Sequence, residues 1–294
     1  MSNPSILIHI GYPKAASTLL QAYFSEHPQV FYSGEVLNNY KVSGEIEIAP
    51  FTLAPGQTHV VISEEQLSVW QGNLDIVGVK FRDYNIAAQQ QKTATQLRLR
   101  FPGAKILIIT RGFQSAFLSM YSQYVSIGGI LKFEDFEQHV AHIFAAFYNY
   151  NFVIETYRQA FGHENVLVLP FEMLQHNPGG FIERINGFSN LPETDFDVLV
   201  KNASLGKEEI DSYRRLSSVL YHTIQWLPYG LKQKIYGLYV YLLYSRRLGP
   251  VARLLSGPPA TVNISKQTLM LFNGNASTLR TETFYQPYYK EYLL

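Results

Sequence analysis

The run SILIHIGYPKAASTLLQ near the start of the chain constrains the fold more than any other feature. Residues 5–10 are almost wholly apolar and end at Gly11, and helix-compatible text over 17–27 follows a short turn. An apolar run too short for a helix and closed by glycine predicts a buried strand. A turn from such a strand into a helix aims several backbone N–H groups and the positive end of the helix dipole at one point, which makes an anion cradle. Lys14 adds a full charge, and Ser17 and Thr18 bring hydroxyls from the first helical turn, with Pro13, Ala15 and Ala16 completing the loop. The chemistry suits phosphate or sulfate.

Four more short apolar runs, VVIS (60–63), IVGVK (76–80), ILIIT (106–110) and VLVLP (166–170), are separated mostly by helical text. Gly162 is placed to cap the helix before the last of them. Strands that do not alternate with polar residues are covered on both faces. The prediction is therefore an α/β fold with a doubly wound, mainly parallel sheet flanked by helices. Hydrophobic residues make up 47% of the chain and charged residues 16%, enough to build a sizeable core in one domain over 1–294 and too apolar for a disordered segment. In such sheets the ligand lies beyond the carboxyl ends of the strands, where 11–18 and 111–119 begin.

From about 213 to 256 the text becomes rich in Tyr and Leu, broken at Pro228, Gly230 and Gly249, and predicts a C-terminal helical insertion or cap. Its aromatics either pack on the core or form an acceptor wall, a homodimer surface or a peripheral membrane patch, since Lys232, Lys234, Arg246 and Arg247 flank them. The apolar stretch 235–244 is too short to span a bilayer, and MSNPSILIHI lacks a secretory pattern, so a cytoplasmic location is expected. A net charge of +1 supplies no field for nucleic acid. With no cysteine the chain has no thiol nucleophile or thiolate ligand. No His or carboxylate cluster has metal-ligand spacing, and no metal is expected.

A nucleotide triphosphatase loop places Lys directly before the hydroxyl residue that holds magnesium. Here Lys14 lies three residues before Ser17, and the second loop glycine is missing. PKAAST (13–18) instead resembles the phosphate loop, PK-x-G-[ST]-[ST], of sulfotransferases that use 3′-phosphoadenosine 5′-phosphosulfate (PAPS), with Ala16 in place of Gly. That resemblance implies that the loop holds the 5′-phosphosulfate and that Lys14 steadies the bridging oxygen. ILIITRGFQSAFLSMY is similar to the family's second element, an apolar strand ending in Arg with a Ser eight residues later. It implies that Arg111 and Ser119 bind the 3′-phosphate. The family's Arg-Asn-Pro or Arg-Asp-Pro is replaced by Arg111-Gly112-Phe113, and Ala116 stands where many members carry another Arg.

Similar text extends over about 5–210. HPQVFYSGE (27–35) resembles the His-Pro segment after which glycan-type members place a catalytic Glu, which points to Glu35. KNASLGK (201–207) resembles the late loop that closes over the nucleotide, implicating Lys201 and Ser204. Lys80 resembles an acceptor-side lysine. Independently of the family, Glu64 and Glu65 follow the VVIS strand at another strand end and are reserve candidates for the base. His9, within a strand, and His27, before Pro28, are expected to pack or cap.

Sulfuryl transfer needs in-line positioning, charge stabilisation on the leaving phosphate and a base for the acceptor hydroxyl. The expected activity is transfer from PAPS to a hydroxyl, or less readily an amine, of a carbohydrate or lipid-like acceptor. Two alternatives remain open on the residues. One is an ATP-dependent kinase or other P-loop enzyme, which predicts magnesium-dependent ATP binding. The other is a nucleotide- or glycan-binding module without turnover.

Overall fold

The structure, a computed structural model, describes residues 4–32, 37, 45–47, 50–68, 74–75, 80–81, 85–195, 205–255 and 262–294. Its centre is strand β1 (Ser5–Gly11), in which every residue from Leu7 onward is buried. β1 feeds helix α1 (Ser17–Glu26), which leads to the edge strand β2 (Val30–Tyr32) and then to β3 (His59–Glu64). A two-residue antiparallel ladder, β4 (Leu74–Asp75) with β5 (Lys80–Phe81), stands apart from the main sheet. Helix α2 (Ile86–Arg100) returns the chain to β6 (Lys105–Thr110), and α3 (Phe113–Ser126), α4 (Phe133–Phe147) and α5 (Tyr150–Phe161) lead on to β7 (Val166–Pro170). After β7 come α6 (Phe171–His176), α7 (Pro178–Ser189), α8 (Lys207–Thr223), α9 (Tyr229–Tyr244), α10 (Gly249–Arg253) and α11 (Lys266–Leu271). Two 3-10 segments, Ser277–Thr281 and Thr283–Tyr292, close the chain.

The main sheet runs β2-β3-β1-β6-β7 with every pairing parallel. Full burial of Leu7, Ile8, Ile10, Val60, Val61 and Ile106 to Ile109 explains why these strands lack alternation, because helices cover both faces. The doubly wound sheet expected from the sequence is present. One strand assignment changes: the fifth strand of the sheet is Val30–Tyr32, three residues too short for a period to show. The run IVGVK contributes only Lys80 to a described element; its other residues lie outside the described set. Gly162 caps α5 as expected, at φ 91°, its N–H bonding to the Arg158 carbonyl at 2.9 Å.

The sheet reverses direction at β1, whose connection goes to β2 and β3 on one side while β6 leads to β7 on the other. Gly11 pairs with Ile109, so the loop after β1 and the turn after β6 open side by side into the crevice where ligands of such sheets bind. Tyr213, where the sequence changes character, is already within α8. Among the described residues no helix is long and apolar enough to cross a membrane, and no group of His, Asp or Glu could hold a metal ion.

Candidate active site

The loop from Gly11 to Ser17 is tightly wound. The Ala15 N–H closes onto the Tyr12 carbonyl at 3.1 Å, and Lys14 and Ala16 both take left-handed φ, 64° and 66°. The closure uses the Ala15 donor inside the turn, so the backbone donors left for an anion are those at the start of α1. Ala16 is the N-cap residue there and offers no side-chain cap to the first-turn N–H groups. The Ser17 hydroxyl is buried and has no hydrogen-bond partner among the described residues. A Cβ at Gly11 would come within 3.0 Å of that hydroxyl and 3.1 Å of the Glu65 Cα, so glycine keeps this floor open. A helix start without a side-chain cap, beside a buried hydroxyl that has no partner among the described residues, suits a bound oxyanion. Pro13 is buried beneath the loop and Thr18 is exposed at its rim.

An aromatic bed fixes the loop. The buried Tyr12 ring lies 5.5 Å from Tyr148, stacked, and 5.2 Å from both Phe147 and Tyr150. Burial raises the Tyr148 and Tyr12 hydroxyls above their ordinary pKa, so both stay neutral. Burial also lowers the Lys14 ammonium; the Glu65 carboxylate opposes that shift, and the Arg111 guanidinium adds to it. Lys14, Glu65 and Arg111 therefore interact as one charge cluster.

Arg111 joins the two motifs directly. Its Nη1 donates to the Lys14 carbonyl at 2.6 Å and its Nε to Ser115 Oγ at 3.1 Å, while the guanidinium lies 4.7 Å from the centre of the Phe171 ring. Of the five N–H donors of an arginine, two have partners among the described residues, which leaves the fork able to take an anion. The Tyr150 hydroxyl clamps the Arg111 backbone from both sides, accepting from its N–H at 3.0 Å and donating to its carbonyl at 2.7 Å. Ser119 is buried two turns further along α3. Beside Ser115 and Glu172 a groove of about 500 Å³ is walled by His176, Tyr288 and Lys290.

The carboxylates separate. The Glu65 charge acts on Lys14 and on Tyr148, whereas the Glu64 charge acts on Tyr32 at the sheet edge. Glu35, Lys201 and Ser204 lie outside the described residues, and Lys80 is described only as backbone in β5. His27 packs and caps, its Nε2 against the Pro192 carbonyl at 3.1 Å and its Nδ1 accepting from the Gln29 N–H at 3.2 Å. His9 is fully buried against Ser63 Oγ at 2.8 Å.

The model of the sulfotransferase domain matches residues 4–219, most of the chain, including the loop after β1 and the turn after β6. The chain belongs to the sulfotransferase domain family. Among solved structures it is similar to a sulfotransferase from Alicyclobacillus acidocaldarius, at 19% identity and a TM-score of 0.45, over 74% of this chain and 94% of that one. It is also similar to mouse sulfotransferase SULT7A1 complexed with PAP, at 13% identity and a TM-score of 0.37, over 76% and 66% of the two chains. No curated protein matches its sequence.

This sulfotransferase completes its rim with residues beyond the matched domain. The Glu172 carboxylate accepts the Gly112 N–H at 2.9 Å and the Tyr292 hydroxyl at 2.7 Å. Since Tyr292 has one proton and gives it to Glu172, Thr110 donates to Tyr292 at 2.9 Å and accepts from Tyr285 at 2.7 Å. The sequence signal for this arrangement was Gly112 itself. A Cβ there would lie 2.6 Å from the Glu291 Cβ and 3.0 Å from its carbonyl oxygen. The departure from Arg-Asn-Pro makes room for the C-terminal segment.

Proposed function

We propose that this sulfotransferase moves the sulfuryl group of PAPS to a hydroxyl of a carbohydrate or lipid-like acceptor. The observation that carries the reading is the direct bond from Arg111 to the Lys14 carbonyl, which sets two anion-binding elements side by side above an unpartnered Ser17 hydroxyl. A nucleotide carrying phosphate at both ends of its ribose fits that pair. In this reading the start of α1 and Ser17 take the 5′-phosphosulfate, and Arg111 with Ser119 takes the 3′-phosphate. Lys201 and Ser204 belong to the loop expected to close over the nucleotide.

The acceptor O–H gives its proton to a carboxylate as its oxygen bonds to sulfur, and the S–O bond to the phosphate breaks with its electron pair left on that phosphate. Lys14 stabilises the charge that develops there. Glu65 is our choice of base, supported by its charge acting on Lys14. Glu35 and Glu64 stand as the other two carboxylates, and Lys80 as an acceptor contact.

The test is calorimetric titration of wild type and Arg111→Ala with 3′-phosphoadenosine 5′-phosphate, alongside ATP with magnesium. Two lost charge-assisted hydrogen bonds, at about 1.5–3 kcal/mol each, predict weakening of the bisphosphate by at least about 100-fold. Tighter binding of ATP with magnesium, together with no binding of the bisphosphate, overturns the reading.

A further inference from the structure

Charge in this chain is strongly segregated. From residue 212 to residue 281 there is no Asp or Glu, while nine Lys or Arg occur, leaving 15 basic against 23 acidic residues elsewhere. A nearly neutral protein thus carries one basic stretch of sequence. Arg214 and Arg215 are paired with Asp211, whereas Lys232, Lys234, Arg246, Arg247 and Arg253 lie along α9 and α10 or in the turn between them.

The same segment leaves large apolar side chains in solvent. α9 packs on the body of the protein through one face. There the Tyr236 hydroxyl donates to the Gly128 carbonyl at 3.1 Å, Tyr239 bonds to Ser217 at 2.7 Å, and Leu243 is fully buried. The opposite face, at helical spacing, presents Leu231, Lys234, Leu238, Tyr241 and Tyr244, with Leu238 61% and Tyr244 64% exposed. Trp226, just before the helix, is 78% exposed, Tyr229, its first residue, 76%, and Leu254, just after α10, 84%. Arg247 lies 5.7 Å from the centre of the exposed Tyr241 ring.

We infer that this face docks on an anionic lipid bilayer. Exposed aromatic and leucine side chains interspersed with lysine and arginine, on a helix of 16 residues that is too short to span, form a mixed apolar and basic patch suited to an anionic membrane surface. Charge decides between occupants. A second copy joined through the same face would bring its basic residues onto their own counterparts, and a nucleic acid backbone would leave the exposed leucines in water. Anionic headgroups over an apolar layer satisfy both kinds of side chain. The inference stands apart from the donor and the acceptor, since none of these residues belongs to the crevice.

The experiment is co-sedimentation of the full chain with phosphatidylcholine vesicles, with and without about 30 mol% phosphatidylglycerol, followed by intrinsic tryptophan fluorescence. Binding is expected only to the anionic vesicles and is lost in about 1 M NaCl, where the Debye length falls to about 3 Å. A blue shift is expected on binding and should be absent in Trp226→Phe. Each basic residue near the surface contributes about fivefold to partitioning, so Lys234→Glu/Arg247→Glu, both exposed, should weaken binding by about 30-fold or more. Leu238→Ser/Tyr241→Ser should weaken it at low salt as well. Melting curves matching wild type establish that these exposed substitutions leave the fold intact. Equal binding to neutral vesicles, no binding to either, or a concentration-dependent dimer that Leu238→Ser/Tyr241→Ser dissolves each overturns the inference.

Discussion

His9 sits at the centre of the sheet, fully buried between β3 and β6, and burial pushes its imidazole from the ordinary 6.5 down to about 3. Its Nδ1 meets Ser63 Oγ, while its Nε2 has no partner to share a proton. The native state thus binds this proton far more weakly than the unfolded chain. The stability gained by keeping His9 neutral is present above pH 6.5 and is lost as the pH falls toward 3. Between pH 7 and pH 4.5 the two pKa values give a loss of roughly 2–3 kcal/mol from this one group. The perturbation is His9→Leu, which removes the titration but leaves Ser63 short of a partner, so absolute stability is not the readout. Urea unfolding at both pH values supplies the comparison: wild type should lose roughly 2–3 kcal/mol more than the variant across that interval. A difference below about 1 kcal/mol, or a His9 ring resonance titrating near 6.5 in the native protein, would refute the reasoning.

The remaining expectations concern the crevice. Ala16→Gly relieves a left-handed alanine and should stabilise the fold by about 1 kcal/mol, a rise of about 2 °C in thermal melting; a fall would show that the loop is held by something other than its φ. Gly112→Ala forces a Cβ against Glu291 and should cost about 1–3 kcal/mol in urea unfolding, with Glu291→Gly in the same chain restoring about half; an unrescued loss would place the clash elsewhere. Lys14→Ala should lower turnover far more than affinity for 3′-phosphoadenosine 5′-phosphate, and equal losses would remove its assigned role. With Gln in place of each carboxylate, Glu65→Gln should abolish transfer with the bisphosphate affinity within about threefold of wild type, and Glu64→Gln should remain active. Loss in Glu35→Gln with activity kept in Glu65→Gln would move the base to Glu35.

The parts of the fold legible in the sequence are those where a short-range rule and the tertiary context agree. ILIIT and VLVLP are buried on both faces, so their unbroken apolar text states their position in a parallel sheet. Val30–Tyr32 is an edge strand of three residues, set by pairing with His59 to Val61, and that long-range cause leaves no period to read. The same distinction separates the two acidic neighbours. Glu64 and Glu65 are equivalent as text at a strand end, but the turn into the 3-10 segment Glu65–Leu67 brings only the second against the loop. Lys14 and Ser17 were identified from the strand-to-helix turn because the chemistry of the loop is local. The bond from Arg111 to the Lys14 carbonyl spans 97 residues and depended on sheet order.

The end of the chain, by contrast, carries no motif, yet it governs how the Arg111 turn is held. Tyr285, Thr110, Tyr292 and Glu172 form a directed series of hydrogen bonds that ends at the carboxylate holding the Gly112 N–H. Every hydroxyl in that series is buried. Removing the Tyr292 hydroxyl would leave both Thr110 and Glu172 short of a partner, a larger penalty than the loss of one exposed hydrogen bond. A proline opening of α3 has no N–H to offer at its own position and fixes its own φ near −65°. Gly112 leaves space for Glu291 while its N–H reaches Glu172, and Phe113 in place of a proline stacks its ring on Tyr150 at 5.4 Å. Glycine after Arg111 and the buried aromatic residues Tyr285 and Tyr292 thus form one arrangement, in which the segment Thr283–Tyr292 braces the turn of the arginine that bonds to the loop after β1.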